Sequence, residues 1–389
     1  MRKWLLPEHI EDILPAEATR IEALRRKLLD LFAVHGYQLV QPPLLEYVES
    51  LLTGTGHDLD LRTFKLVDQL SGRMLGVRAD STPQVARIDA HLMNRKGVNR
   101  LCYAGSVLHT RPTGINRTRE PLQIGAEIYG HAGIESDLEV QRLMLDALAA
   151  AGIAGLQLDI GHVAVFRALV RHSRVSADLE AELFRAVQSK DVPQLRTLAR
   201  KLDGRARGAF EALPGLVGGV EALRRAQREL PDIAEIRQAL AQLRAMAGAL
   251  DDTDAEIVFD LAELRGLHYH SGVVFAVYAP GWSNALVLGG RYDEVGKAFG
   301  RARPATGFSM DLRDIVAAAP LAASPAAVLA PYRPRDAELQ RRIAALRGRG
   351  TVVIVDLPGH EKMRGELECA RRLVKRDDRW VVDKTAAIV

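Results

Sequence analysis

The sequence predicts an α+β protein: a mostly antiparallel sheet flanked by helices, carrying a helical insertion and a small C-terminal α/β piece. Three observations lead there. Short apolar runs recur between residues 37 and 160 and again from 257 to 311, broken by Gly-, Asp- and Pro-containing turns, as strands joined by hairpins would be. Between Val163 and about Ala249 that signal gives way to Leu, Ala and Arg at helical spacing. After the Ala/Pro-rich SPAA at 324–327 comes a strand, helix, strand pattern. The expected division is a core of residues 1–162 and 251–320, an insertion at 163–250 and an end piece at 321–389.

Taken in order, Ile21, Leu24, Leu28, Leu31 and Phe32 form an amphipathic stripe that predicts a helix from Glu17 to Gly36. YQLVQPPLLEY (37–47) reads as a strand whose pairing ends on one side at Pro42 and Pro43. Thr63–Val67 and Met74–Val77 read as strands around a turn at Asp68–Arg73, hence as a hairpin. Ser81 and Thr82 before Pro83 mark a helix start, and that helix is expected to reach about Met93. Strands follow at Arg100–His109 and Pro121–Gly130, separated by the polar, Arg-rich TRPTGINRTRE, then a helix at Glu135–Ala151 and a strand at Leu156–Ile160. Beyond the helical block, strands are expected at Ile257–Phe259, Val273–Tyr278 and Asn284–Gly290. RYDEVGKAFG is a turn and helix, and ATGFSMDLRDIVAAA a strand turning into a helix. In the end piece, AVLAP and TVVIVDL are strands on either side of the helix DAELQRRIAALRGRG.

Composition excludes several classes. With 48% hydrophobic and 26% charged residues among 389, the chain can bury a large core without staples. A net charge of +4 is spread as Arg interleaved with Asp and Glu, not as a nucleic-acid stripe. Cys102 and Cys369 lie far apart with no CxxC, so neither a disulfide framework nor a metal site is expected, and no cofactor either. No apolar run approaches the roughly 18–20 residues of a membrane helix, and Pro7, Glu8, Glu11 and Asp12 interrupt the N-terminus too early for a signal peptide. A soluble, cytoplasmic protein without a membrane partner is expected.

Candidate site residues sit at strand mouths. Asp80 and Thr82 follow one strand; Gln123 and Glu127 share one face of another, on either side of Gly125; Arg265, Tyr269 and His270 lie in LRGLHYHSGVVF, ahead of a buried strand. Carboxylates, an amide, a fixed cation and flat polar rings suit a free amino acid: carboxylates for its ammonium, Arg for its carboxylate, amide and rings for its side chain. The competing reading is an ordinary Glu127–Arg265 ion pair with Gln123 on the surface. GxGxxG, P-loop, HExxH and GxSxG motifs are absent.

The order of these motifs resembles class II aminoacyl-tRNA synthetases, most closely histidyl-tRNA synthetase, over roughly residues 5–318. The first helix with QPP is similar to motif 1, the strands around TRPTGINRTRE to motif 2, and GGRYDEVGKAFG through GFSMDLRDI to motif 3; RGLHYHSG resembles the histidine signature RGLDYYTG. The resemblance implies a histidine pocket of Asp80, Thr82, Gln123, Glu127, Arg265, Tyr269 and His270, with no role for His268.

It also implies lost catalysis. His109 stands where motif 2 carries an arginine for the ATP α-phosphate, and an unperturbed histidine, with a pKa of about 6.5, is mostly neutral at pH 7. In motif 3, DLRD puts Arg313 one position early and Asp314 in the arginine's place; a carboxylate about 4 Å from a phosphate repels it by roughly 4 kcal/mol at an effective dielectric of about 20. The end piece is shorter than an anticodon-binding domain and is expected to offer no basic or aromatic surface for nucleic acid. VRADSTPQVAR, HYHSG and GFSMDLR are similar to the family of ATP phosphoribosyltransferase regulatory subunits. That resemblance implies a non-catalytic partner of the short-form catalytic subunit in a hetero-oligomer, L-histidine as feedback effector, and a homodimer through motif 1. A divergent histidine-activating ligase and an RNA-binding module on the same fold are the alternatives.

Overall fold

The computed structural model describes residues 4–53, 57–112, 114, 117–267, 269–321, 327–359, 361–367 and 369–383, and the chain divides between Pro320 and Leu321 into two units. In the first unit, helix α1 (Pro15–Val34) turns Ile21, Leu24, Leu28 and Phe32 inward. The segment read as one strand after it is two, β1 (Gln38–Leu39) and β2 (Leu45–Tyr47), because Pro42 and Pro43 have no N–H to continue a ladder. Short helices α2 (Val48–Leu51) and α3 (His57–Arg62) lead to the hairpin β3 (Phe64–Val67) and β4 (Met74–Val77), whose turn is held by Asp68 accepting from the Leu70 and Ser71 N–H groups at 3.2 Å. With β2 they form a three-stranded sheet in the order β2-β4-β3.

The helix from Thr82 is α-helical only as α4 (Thr82–Arg87) and continues as a π-helix over Ile88–Met93, a correction to the regular helix expected. Its buried Asp89 pairs with Arg303 at 2.9 Å. Strands β5 (Asn99–Ser106) and β6 (Leu122–Tyr129), helix α5 (Ile134–Ala150) and strand β7 (Gln157–His162) follow. The helical block comprises α6 (Val163–Ser173), α7 (Ala177–Gln188), α8 (Val192–Ala199), α9 (Gly204–Ala212), α10 (Val220–Glu229) and α11 (Ala234–Ala249). Ser176, Asp191 and Asp203 cap the N-termini of α7, α8 and α9. The block also contains β8 (Val217–Gly218), a strand missed in the sequence because two residues beside glycines carry no periodic signal.

Strands β9 (Glu256–Asp260), β10 (Val273–Tyr278), β11 (Val287–Arg291) and β12 (Ala305–Asp311), then helix α12 (Leu312–Ala318), complete the unit. The large sheet runs β1-β5-β6-β12-β11-β10-β7-β9-β8 among the described residues, parallel only at β1/β5 and β7/β9. The α+β architecture is therefore the one the patterning predicts. One face carries Ile124, Ala126, Phe275 and Phe308 into the main core, where Phe32 meets the Phe308 ring edge-on at 5.9 Å. The opposite face is built by two rows of cross-strand neighbours, Glu127–Gly307–Gly290–Val274 and Gly125–Ser309–Leu288–Ala276. Gly307, Gly290 and Ser309 in the middle of these rows leave a hollow.

The second unit is a four-stranded sheet, β13 (Ala327–Pro331), β14 (Val353–Asp356), β15 (Cys369–Arg376) and β16 (Arg379–Asp383), in the order β14-β13-β15-β16. Helix α13 (Ala337–Gly348) packs Leu339, Ile343 and Leu346 on Val328, Leu373 and Trp380. The β15–β16 hairpin was not expected. Its turn is Asp377-Asp378, with φ of 45° and 56°, a left-handed pair more often written with Asn and Gly. Arg372, Arg376 and Arg379 are exposed and share one face of this hairpin with Asp383, which pairs with Arg376 at 2.7 Å, while Trp380 is buried. Of the SPAA linker, residues 324–326 lie outside the described residues.

Candidate functional site

All seven predicted residues line one cavity of about 720 Å³ above the hollow face of the large sheet. Glu127 lies deepest, 1% exposed. Its Oε1 accepts from Tyr103 Oη at 3.1 Å and Thr82 Oγ1 at 3.2 Å, and its Oε2 from Tyr292 Oη. Burial pushes its pKa up to about 8, with the nearby Asp80 charge adding to the rise and the hydroxyl donors opposing it. The environment of this carboxyl therefore favours its protonated form far more than water does.

Asp80 and Thr82 are placed by the start of α4. Asp80 Oδ1 accepts from the Thr82 N–H at 3.0 Å and from Gln123 Nε2 at 2.9 Å, while Gln123 Oε1 accepts from the Ser81 N–H at 2.9 Å. The consecutive Asp80, Ser81 and Thr82 thus interlock with the sequence-distant Gln123 in one acidic corner. The ring wall comes from the β9–β10 connection, where Gly266 has φ +64° and a side chain on it would meet His270 Nδ1 at 2.6 Å. Tyr269 stacks on Tyr292 with ring centroids 5.0 Å apart and meets the His270 ring at 5.4 Å. The buried Tyr269 hydroxyl has no hydrogen-bond partner among the described residues, a cost unless a ligand supplies one. Desolvation lowers the His270 pKa to about 4, so the ring is neutral. His268 lies outside the described residues.

Arg265 does not pair with Glu127. Its Nη2 lies 3.0 Å from Glu263 Oε2 and donates to Tyr278 Oη, which removes the competing ion-pair reading. Glu263, Tyr278, Tyr103 and Tyr292 are the contributors the sequence reading missed. Tyr103 had a signal: it is the cross-strand partner of Gly125, and a side chain there would come 2.4 Å from its hydroxyl. Glu263 had none, because its partner is chosen by a turn.

The other end of the cavity is lined by Arg62, His109, Arg117 and Asp311. His109 Nε2 is 2.9 Å from the Ala79 carbonyl and 3.0 Å from Arg62 Nη2; burial, reinforced by Arg62, lowers its pKa to about 4. Asp314 pairs with Arg117 at 3.1 Å, and Arg313 turns away to Glu11 at 2.5 Å. Burial raises the Asp311 pKa to about 6, with Asp314 adding to the rise. No group of three or more His, Cys, Asp or Glu among the described residues could hold a metal ion, and no described helix is long and apolar enough to cross a membrane.

This fold and this cavity define a histidyl-tRNA synthetase-like protein. The family model described as "Histidyl-tRNA synthetase" matches residues 9–315, and that described as "ATP phosphoribosyltransferase subunit HisZ C-terminal domain" matches residues 325–383. Over 379 residues, 97% of each chain, the sequence is 58% identical to an ATP phosphoribosyltransferase regulatory subunit of Ralstonia pickettii; over 382 residues, 98% of each, it is 56% identical to one of Methylobacillus flagellatus. A solved structure from Bacillus halodurans, described as an ATP phosphoribosyltransferase regulatory subunit/histidyl-tRNA synthetase, superposes with a TM-score of 0.83 at 26% identity, covering 94% of this chain and 97% of that one. Histidyl-tRNA synthetase from Nostoc sp. PCC 7120 shares the fold at a TM-score of 0.77 and 16% identity, over 99% of this chain and 97% of that one. The chain belongs to the family of ATP phosphoribosyltransferase regulatory subunits.

Proposed function

We propose that this regulatory subunit, acting in histidine biosynthesis in the cytoplasm, activates the short-form catalytic subunit of ATP phosphoribosyltransferase in a hetero-oligomer and binds L-histidine as the feedback inhibitor. The observation that carries the ligand reading is the convergence of Asp80, Thr82, Gln123, Glu127, Arg265, Tyr269 and His270, from three distant stretches, on one cavity. Asp80 and Glu127 serve the ammonium, Arg265 the carboxylate, and Gln123, Tyr269 and His270 the side chain. Histidine then acts by binding one global state of the complex better than another, a coupling of about 1–3 kcal/mol.

A homodimer through α1 and β1 goes with this reading. The apolar stripe of α1 is used within the chain, but β1 is an outer strand of the large sheet, with Leu39 56% exposed. Sedimentation of the isolated chain tests it, and a monomer at micromolar concentration would refute it.

The deciding experiment measures phosphoribosyl-ATP formation by the short-form catalytic subunit of the same genome, with and without this chain, across a histidine titration. Stimulation that histidine then suppresses is expected, with Arg265→Ala insensitive to histidine. Absence of both effects overturns the reading, and histidine-dependent pyrophosphate exchange into ATP would replace it with a ligase.

A further inference from the structure

Arg265 is held at both ends by one carboxylate. Its backbone N–H donates to Glu263 Oε1 at 2.9 Å, and its Nη2 reaches Glu263 Oε2 at 3.0 Å. Tyr278 Oη accepts from the same Nη2, and the guanidinium carbon lies 5.7 Å from the Tyr278 ring centroid. Glu263 is only 9% exposed; burial pushes its pKa up, and Arg265 beside it opposes that rise.

Behind Arg265 lies a smaller cavity of about 150 Å³, which Glu263, Arg265, Tyr278 and Gln188 line together with Asp159, Lys190 and Asp260. Arg265 and Glu263 also line the large cavity, so they form the partition between the two. The other carboxylates behind the partition have their own partners: Asp260 takes Lys190 at 2.7 Å and Asp159 takes Gln157 at 2.6 Å. Glu263 is the acid that answers Arg265. A guanidinium has five N–H donors; Nη2 is engaged by Glu263 and Tyr278, and the remaining donors have no hydrogen-bond partner among the described residues.

We propose, resting on the reading that histidine occupies the large cavity, that Glu263 is a positioning residue for carboxylate recognition. It acts through Arg265. It fixes Arg265 at the partition, so the ligand carboxylate meets a guanidinium already ordered, and the pocket prefers an amino acid to the amino alcohol or amine of the same side chain. Without Glu263 the side chain regains rotamer freedom that each binding event must remove.

The test is calorimetric titration of the full chain with L-histidine and with L-histidinol, which lacks the carboxylate. Glu263→Ala is expected to weaken histidine by about tenfold or more while histidinol stays within about threefold. Equal losses for both ligands, or no loss, overturns the proposal. Should Glu263→Ala fail to fold, Tyr278→Phe removes a single oxygen from Arg265 and must lower the histidine-to-histidinol preference; an unchanged ratio overturns the proposal. Wild-type protein that binds neither ligand refutes the reading of the cavity itself.

Discussion

Gly307 lies directly opposite Glu127 on the neighbouring strand, and a methyl group on Gly307 would stand 1.5 Å from Glu127 Oε2. The deepest carboxyl of the cavity occupies the space of a missing side chain. Gly307→Ala should therefore push Glu127 off Tyr292, with a stability loss of about 1–3 kcal/mol from overpacking and a fall in histidine affinity of about tenfold or more. Urea unfolding and calorimetric titration measure the two; undiminished affinity in a folded variant would show that Glu127 is not at the ligand.

Glu127 should make histidine binding proton-linked. Its pKa near 8 in the unoccupied cavity means that a cationic group binds opposite an acid that must first give up its proton. Binding at pH 7 should release close to one proton, and below pH 8 that step costs about 1.4 kcal/mol per pH unit. Affinity should rise with pH up to about 8. Titrations in two buffers of different ionisation enthalpy give the proton count, which Glu127→Gln should abolish.

Acid stability has a separate marker in His162, buried at the N-terminus of α6, where Nδ1 accepts from the Ala164 N–H at 3.2 Å and Nε2 lies 2.8 Å from Gln242 Oε1. Desolvation lowers its folded pKa to about 4, against about 6.5 when unfolded. A depressed folded pKa gives stability that is present above pH 6.5 and lost as pH falls towards 4, up to about 3 kcal/mol. His162→Asn retains a capping oxygen but cannot charge, so the stability gap between wild type and variant should narrow by about 2–3 kcal/mol from pH 7 to pH 4.5. A gap independent of pH would contradict this.

The Asp89–Arg303 pair should be among the costliest to break. Both side chains are buried, and Arg303 Nη1 lies 2.9 and 3.0 Å from the two Asp89 oxygens. Arg303→Met leaves an uncompensated carboxylate and should cost about 3–5 kcal/mol. Adding Asp89→Leu should return part of that loss, a non-additivity readable in a double-mutant cycle of urea unfolding.

What the sequence by itself determined was local or periodic. The helix stripe of Ile21, Leu24, Leu28 and Phe32, the hairpin around Asp68–Arg73, and Gln123 and Glu127 on one strand face follow from repeat lengths of 3.6 and 2. The strand mouths offered seven polar residues, the family resemblance implied the same seven as a histidine pocket, and the structure brings all seven to one cavity. The tertiary structure decided the partners. Tyr292 reaches Glu127 only because β12 separates their strands and Gly307 leaves room, and Glu263 rather than Glu127 meets Arg265 because a turn places them two residues apart. The same holds for the Asp377-Asp378 hairpin and for β8, which exist because a strand already in place offers them a ladder. Periodicity records which way a side chain points; what it meets depends on strands far away in the chain, and a single sequence carries no term for that distance.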